Sequence, residues 1–147
     1  MNSVRLKEIG NEGVLAMICD STNVFSEGKA GSELDVRKNL INIMLRLKKR
    51  IVVTSFASNV ARMETIFFCA EKTKRQISLV GRSMHRIFKA AKKCGYLNNV
   101  IEPLDPRDAK KFPRDKIIYL CTGSQGEPLG ACLLYTSAAA DEGLGVD

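Results

Sequence analysis

Tryptophan is missing from the 147 residues, histidine occurs once, and aromatic residues make up only 6% of the chain. A lone imidazole, His85, with no H-x-H or H-x-x-x-H spacing around it, argues against a metal cage built by this chain alone. A broad aromatic surface for stacking bases is lacking too. Phe56 is the exception, lying beside a polar loop, where it either stacks a base or fills the core. No apolar run approaches the roughly 18 residues of a membrane span, and no cationic start with an apolar stretch and cleavage site marks secretion. "GSQGEP" is not G-x-G-x-x-G, and G-x-x-x-x-G-K-[ST] does not occur, so dinucleotide and P-loop readings lack their motifs. The cysteines, Cys19, Cys69, Cys94, Cys121 and Cys132, are odd in number and without a C-x-x-C pair. They read as reduced core thiols of a cytoplasmic protein.

What is present suits one compact domain with a real core, since 45% of the residues are hydrophobic. The net charge of +7 permits an anionic partner without demonstrating one. Its clusters, "KKR" at 48–50, "KTKR" at 72–75, "KK" at 92–93 and "KK" at 110–111, mostly fall where helices end. Cations there complement the negative pole of the helix dipole.

Short β-branched runs alternate with segments of helical period. "VLAMIC" (14–19), "IVVTSFA" (from 51), "ISLVG" (77–81) and "IIYLCTG" (117–123) read as strands. The first helix opens at Ser32 with Asp35 completing a capping box, and Leu40, Ile43, Met44 and Leu47 form its apolar face. A second runs from about Ser58 to Lys72, burying Val60, Met63, Phe67 and Ala70. The third, "SMHRIFKAAKKCG", stops at Gly95. A Pro-containing connection, "EPLDPRDAKKFPRD", leads to the last strand. Such alternation predicts an α/β fold: a parallel, Rossmann-like sheet flanked by helices in three layers.

Right-handed crossovers place the carboxyl ends of all the strands along one edge. That edge carries "DSTN" (20–23), "SFASN" (55–59), "GRSM" (81–84) and "TGSQGEP" (122–128). Ligands of open α/β sheets bind there. Loops running into helices offer free N–H groups and a positive dipole end, which suit a phosphate. Arg62 and Arg82 can add charge-assisted contacts. Taken singly, Ser58, Asn59 and Ser83 read equally as helix caps; taken together, the polar loops point to a site.

In order and spacing, "EIGNEGVLAMICDSTN", "SE" at 32–33, "RIVVTSFASNVAR", "ISLVGRSM", "GYL" and "CTGSQGEP" resemble ribonuclease J, a family of metallo-β-lactamase/β-CASP nucleases. The likeness covers about residues 6 to 131. It implies a 5′-exo/endoribonuclease of RNA maturation and decay, in which a two-zinc lactamase domain cuts RNA and an inserted β-CASP domain closes over the substrate. Residues 1–13 would end a preceding lactamase segment or form a linker, and 14–131 an incomplete β-CASP domain. Zinc would then belong to the full-length enzyme, with none bound by this stretch, which is expected to be inactive alone. Asp20 matches an acid that orients a histidine near the zinc centre, or else makes an Asx turn. Ala57, Ser58 and Asn59 match the stretch that grips the RNA backbone. By inference Arg62, Gly81, Arg82 and Ser83, with Ser124 and Gln125 of the "GSQGE" loop, line the same channel. Glu127 is a second acid or orders its loop; His85 is expected to be exposed and carries no assigned chemistry. The implied partners are RNA, preferably 5′-monophosphorylated, the lactamase domain, and in the full enzyme a homodimer or tetramer; no membrane is implied.

After Ala131 the pattern changes to a small-residue, acidic stretch without Lys or Arg, "CLLYTSAAADEGLGVD" (132–147). It resembles translated adapter sequence and is expected to be a disordered, non-family tail; "MNSVRLKEIG" likewise reads as an internal start in a truncated frame. Two further functions stay open: a non-catalytic module for a small phosphorylated ligand, and a structural or regulatory domain whose polar edge meets a protein.

Overall fold

Ile51–Thr54, Gln76–Val80 and Ile117–Cys121 form strands β1, β2 and β3 of a parallel sheet, ordered β1-β3-β2. The structure is a computed structural model that describes residues 2–18, 25, 27–28 and 31–123. It divides into two units, Met1–Ala30 and Gly31–Asp147. The sheet belongs to the second. Ile51 pairs with Ile118, and Ile77 with that same Ile118, which makes β3 the shared central strand. All five of its residues are buried.

Side chains alternate across a strand, so β3 feeds two cores. Ile118 and Leu120, with Ile51, Ile77 and Leu79, face helices α2 (Glu33–Arg46), α3 (Val60–Lys72) and α4 (Arg82–Lys93). Ile117 and Tyr119 face the other way, against Ala109 of the short α5 (Pro106–Ala109). The expected three layers are therefore unequal, three helices on one side and a single turn on the other. Phe67 of α3 stacks on Phe88 of α4, ring centroids 5.5 Å apart, and Met63, Ile66, Cys69 and Ala70 complete the α3 face.

The helix ends follow local chemistry. Ser32 caps α2 by accepting from the Asp35 amide at 3.2 Å, while the Asp35 carboxylate accepts from the Ser32 amide at 3.2 Å and its hydroxyl at 2.6 Å. Those bonds from Ser32 hold the Asp35 carboxyl below its ordinary value. The buried face of α2 is Leu40, Ile41 and Met44; Ile43 and Leu47 are exposed, so the stripe is rotated from the one expected. At the far end of α4, the amides of Gly95 and Tyr96 return to the carbonyls of Lys92 and Ala91 at 3.1 and 2.9 Å. Gly95 takes the positive φ of 84° this turn needs, as its sequence position implied.

Some expectations fail. Residues 14–18, the described part of "VLAMIC", form no strand and are exposed. An apolar run becomes a strand only beside a paired edge, and no described segment of Met1–Ala30 supplies one. That unit contains instead α1 (Ser3–Glu12), capped by Asn2, with no buried residue. The Pro-containing connection hides α5, where Asp105 accepts from the Arg107 amide at 2.8 Å ahead of Pro106 at the first helical position. Just before it, the Leu104 amide donates to Ile77 O at 2.8 Å and Leu104 bridges to Ser78, adding a single residue of parallel pairing outside β2. Cys69 and Cys121 are buried as expected, whereas Cys94 is exposed. The tail at 132–147, with Cys132, lies outside the described residues, as does Cys19.

Candidate nucleic-acid interface

Beyond Thr54 the chain turns sharply into α3. The Ser55 amide donates to Cys121 O at 3.0 Å, extending the ladder by one residue, and the Asn59 amide donates to Phe56 O at 3.1 Å. The Asn59 side chain then caps α3, accepting from the Arg62 amide at 2.9 Å. Beyond Val80 the turn is tighter still. One residue, Gly81, separates β2 from α4 at a φ of 106°, a conformation that favours glycine. No side chain caps the start of α4, whose first residues are Arg82, Ser83 and Met84. Beyond Cys121 the central strand ends in Thr122 and Gly123, the latter also at a positive φ of 105°.

These ends meet in a cleft of about 360 Å³ lined by Ser55, Phe56, Ala57, Ser58, Ser83, Arg86, Ile87, Thr122 and Gly123. Four hydroxyls, a guanidinium and a ring thus share one concavity at the carboxyl rim of the sheet. Phe56 is 52% exposed, which excludes its core alternative. Ala57 is half-buried, packed against the core as well as lining the cleft. Ser58 is exposed and Ser83 half-buried. Arg82 is exposed at the head of α4, and neither it nor Arg86 has an ion-pair or hydrogen-bond partner among the described residues.

Arg62, expected in the channel, has a structural partner. Its guanidinium donates to both carboxylate oxygens of Glu33, at 2.8 and 3.2 Å, clasping α2 to α3. The Arg62 guanidinium holds the Glu33 carboxyl below its ordinary 4.5 against the opposing effect of burial. Asn59 is a cap, so of its two readings the structure supports the local one. His85 is half-buried rather than exposed. Its Nε2 donates to Leu79 O at 3.0 Å, next to the Ile77 carbonyl taken by Leu104, and so closes the outer edge of β2. Arg86 was missed, although its i+4 spacing from Arg82 put both on one helix face. Asp20, Ser124, Gln125 and Glu127 lie outside the described residues.

The resemblance implies zinc, and the residues present do not fit it. The chain has one histidine, and no group of three or more His, Cys, Asp or Glu among the described residues could hold a metal ion. Nor is any described helix long and apolar enough to cross a membrane.

A parallel sheet flanked by helices, with a polar cleft at its carboxyl rim, defines a domain of the open α/β class, whose ligands bind at that rim. The comparisons narrow the class. Residues 48–142 match the model of the ribonuclease J β-CASP domain, and the chain belongs to that family. It is 40% identical over 127 residues to ribonuclease J of Sinorhizobium meliloti, covering 86% of this chain and 22% of that protein. Identity is 40% over 129 residues to ribonuclease J of Corynebacterium glutamicum, covering 86% of this chain and 18% of the relative. For ribonuclease J2 of Bacillus subtilis it is 32% over 127 residues, covering 86% and 23%. The chain thus spans about a fifth of the length of these relatives.

Proposed function

We propose that this chain is the RNA-gripping β-CASP part of a cytoplasmic, zinc-dependent ribonuclease. In this reading zinc ions and water activation come from a lactamase domain outside these 147 residues, and the cut is 5′-exonucleolytic, internal or both. The observation that carries the reading is the rim cleft, where Ser55, Ser58, Ser83 and Arg86 converge from two separate strand ends. Hydroxyls and a guanidinium without a side-chain partner among the described residues recognise phosphate oxygens and hold RNA in register without reading its bases. Phe56, at the same cleft, offers a ring on which one base can stack. Membership of the ribonuclease J β-CASP family supports RNA over a small phosphorylated ligand.

The test is the Ser58→Ala/Ser83→Ala variant of this chain, which spares the Asn59 cap. Titrated with a labelled 5′-phosphorylated oligoribonucleotide, it should bind about tenfold more weakly, since hydrogen bonds to a charged group are lost. Its unfolding midpoint should not move. Undiminished affinity would remove the reading, and tighter binding of a phosphosugar than of RNA would replace it with the small-ligand alternative.

A further inference from the structure

Arg82, Arg86, Lys89 and Lys93 follow one another on α4 at spacings of four, three and four residues, and all four are exposed. At about 100° per residue these positions fall within a band roughly 60° wide. The band runs the 12 residues of the helix, about 16 Å from first to last. None of the four side chains has a hydrogen bond, ion pair or ring contact among the described residues. Lys92, off this band, is engaged by Glu102 and by the Phe88 ring. The buried side of the helix is Met84, Phe88 and Ala91, so the band faces away from the core.

Helix stability accounts for Lys93, a cation in the last turn that complements the dipole, but not for the rest of the row. Like charges at i+3 and i+4 repel, and α4 contains no acid to interleave them. Arg82, in the first turn, opposes the helix dipole, which prefers anions there. The neighbouring helices behave otherwise: α2 opens with Glu33 and Asp35, and α3 mixes Arg62 and Lys72 with Glu64 and Glu71. A row of cations without side-chain partners among the described residues, three of them unexplained by the helix dipole, fits an anionic partner of matching length. The band is continuous with the rim, because Arg86 belongs both to it and to the cleft wall beside Ser83.

We infer that the outer face of α4 is a track for single-stranded RNA backbone, on which Arg82, Arg86, Lys89 and Lys93 meet successive phosphates leading away from the cleft. This rests on the RNA reading of the cleft and adds the direction the strand takes. A single strand suits the track better than a duplex. It follows a narrow line of charge, and the exposed Phe56 ring at the head of that line needs an unpaired base.

The experiment compares a short oligoribonucleotide of about three nucleotides with one of about ten, titrated against the 147-residue chain over a range of salt. Wild-type protein should bind the longer strand more tightly. Lys89→Gln/Lys93→Gln should lose about tenfold in affinity for the longer strand and nothing for the shorter. Its slope of log affinity against log salt should fall by about 1.4, two phosphate contacts on a single strand. Equal affinity for both lengths, with an unchanged slope in the variant, would overturn the track and leave the cleft intact. Loss in this lysine variant but none in Ser58→Ala/Ser83→Ala would spare the track and overturn the cleft. Competition by polyglutamate as strong as by RNA would make the face a dock for an acidic protein and overturn its assignment to RNA. No binding of either strand by the wild-type chain would overturn both.

Discussion

The two strand-to-helix junctions of the rim, β1 to α3 and β2 to α4, look alike in sequence, and the structure resolves them into opposites. At the first, Asn59 caps its helix and Arg62 is held by Glu33. At the second, no side chain caps α4, and Arg82 and Arg86 have no partner among the described residues. The first junction commits Asn59 and Arg62 to capping α3 and clasping it to α2, and leaves Ser55 and Ser58 to the cleft. The second leaves both arginines free of such structural bonds, beside Ser83. Polar residues at a strand end are thus of two kinds, and only partner geometry separates them.

The packing under both junctions should matter most. Phe67→Ala removes the ring that stacks on Phe88 and joins the two helices. It should cost about 3–5 kcal/mol in urea unfolding, with both sites lost together. A variant that unfolded only the α4 side would show that the junctions are not built on one core. Next, Gly81→Ala puts a Cβ where φ is 106° and should cost about 1–3 kcal/mol. Full wild-type stability there would mean that the turn does not depend on glycine.

Smaller changes separate the junctions. Asn59→Ala should lose about 1 kcal/mol of stability while RNA affinity, measured below its melting range, stays within twofold. Arg82→Gln should do the reverse, weakening RNA binding several-fold at an unaltered unfolding midpoint. If both variants shifted the same quantity, the contrast would fail. The smallest effect is that of Glu33→Gln, about 0.5–1 kcal/mol for a partly exposed pair. Its sign with pH is fixed by direction. The carboxyl of Glu33 is depressed in the folded state, so the stabilisation is complete above its ordinary 4.5 and disappears as pH falls through the lowered value. The difference between wild type and Glu33→Gln, followed by thermal melts across that range, should therefore vanish in acid. A difference that grew on acidification would contradict the Glu33–Arg62 clasp.

Legibility in the sequence followed the range of the interaction. The capping box at Ser32, the α3 core positions and the stop at Gly95 depend on residues a few positions apart, and all three could be read. "VLAMIC" could not, because pairing is supplied by another segment and an apolar run does not announce its neighbour. The structural role of Arg62 was hidden for a related reason. Its partner, Glu33, is 29 residues away, and no local pattern couples them. Arg75 shows the same limit. It sits in a cluster read as helix-end cations, yet it is buried and donates to the carbonyls of Leu47 and Lys49. By contrast α5 was available in principle, from Asp105 followed by Pro106.

The most direct test is a map of amide chemical shifts as the 15N-labelled chain is titrated with a 5′-phosphorylated single-stranded oligoribonucleotide. The account predicts that the largest changes fall on Ser55–Ser58, Ser83–Ile87 and Thr122–Gly123, tapering along α4 toward Lys93. Changes concentrated instead on the opposite end of the sheet, at 48–50 and 72–75, would contradict it.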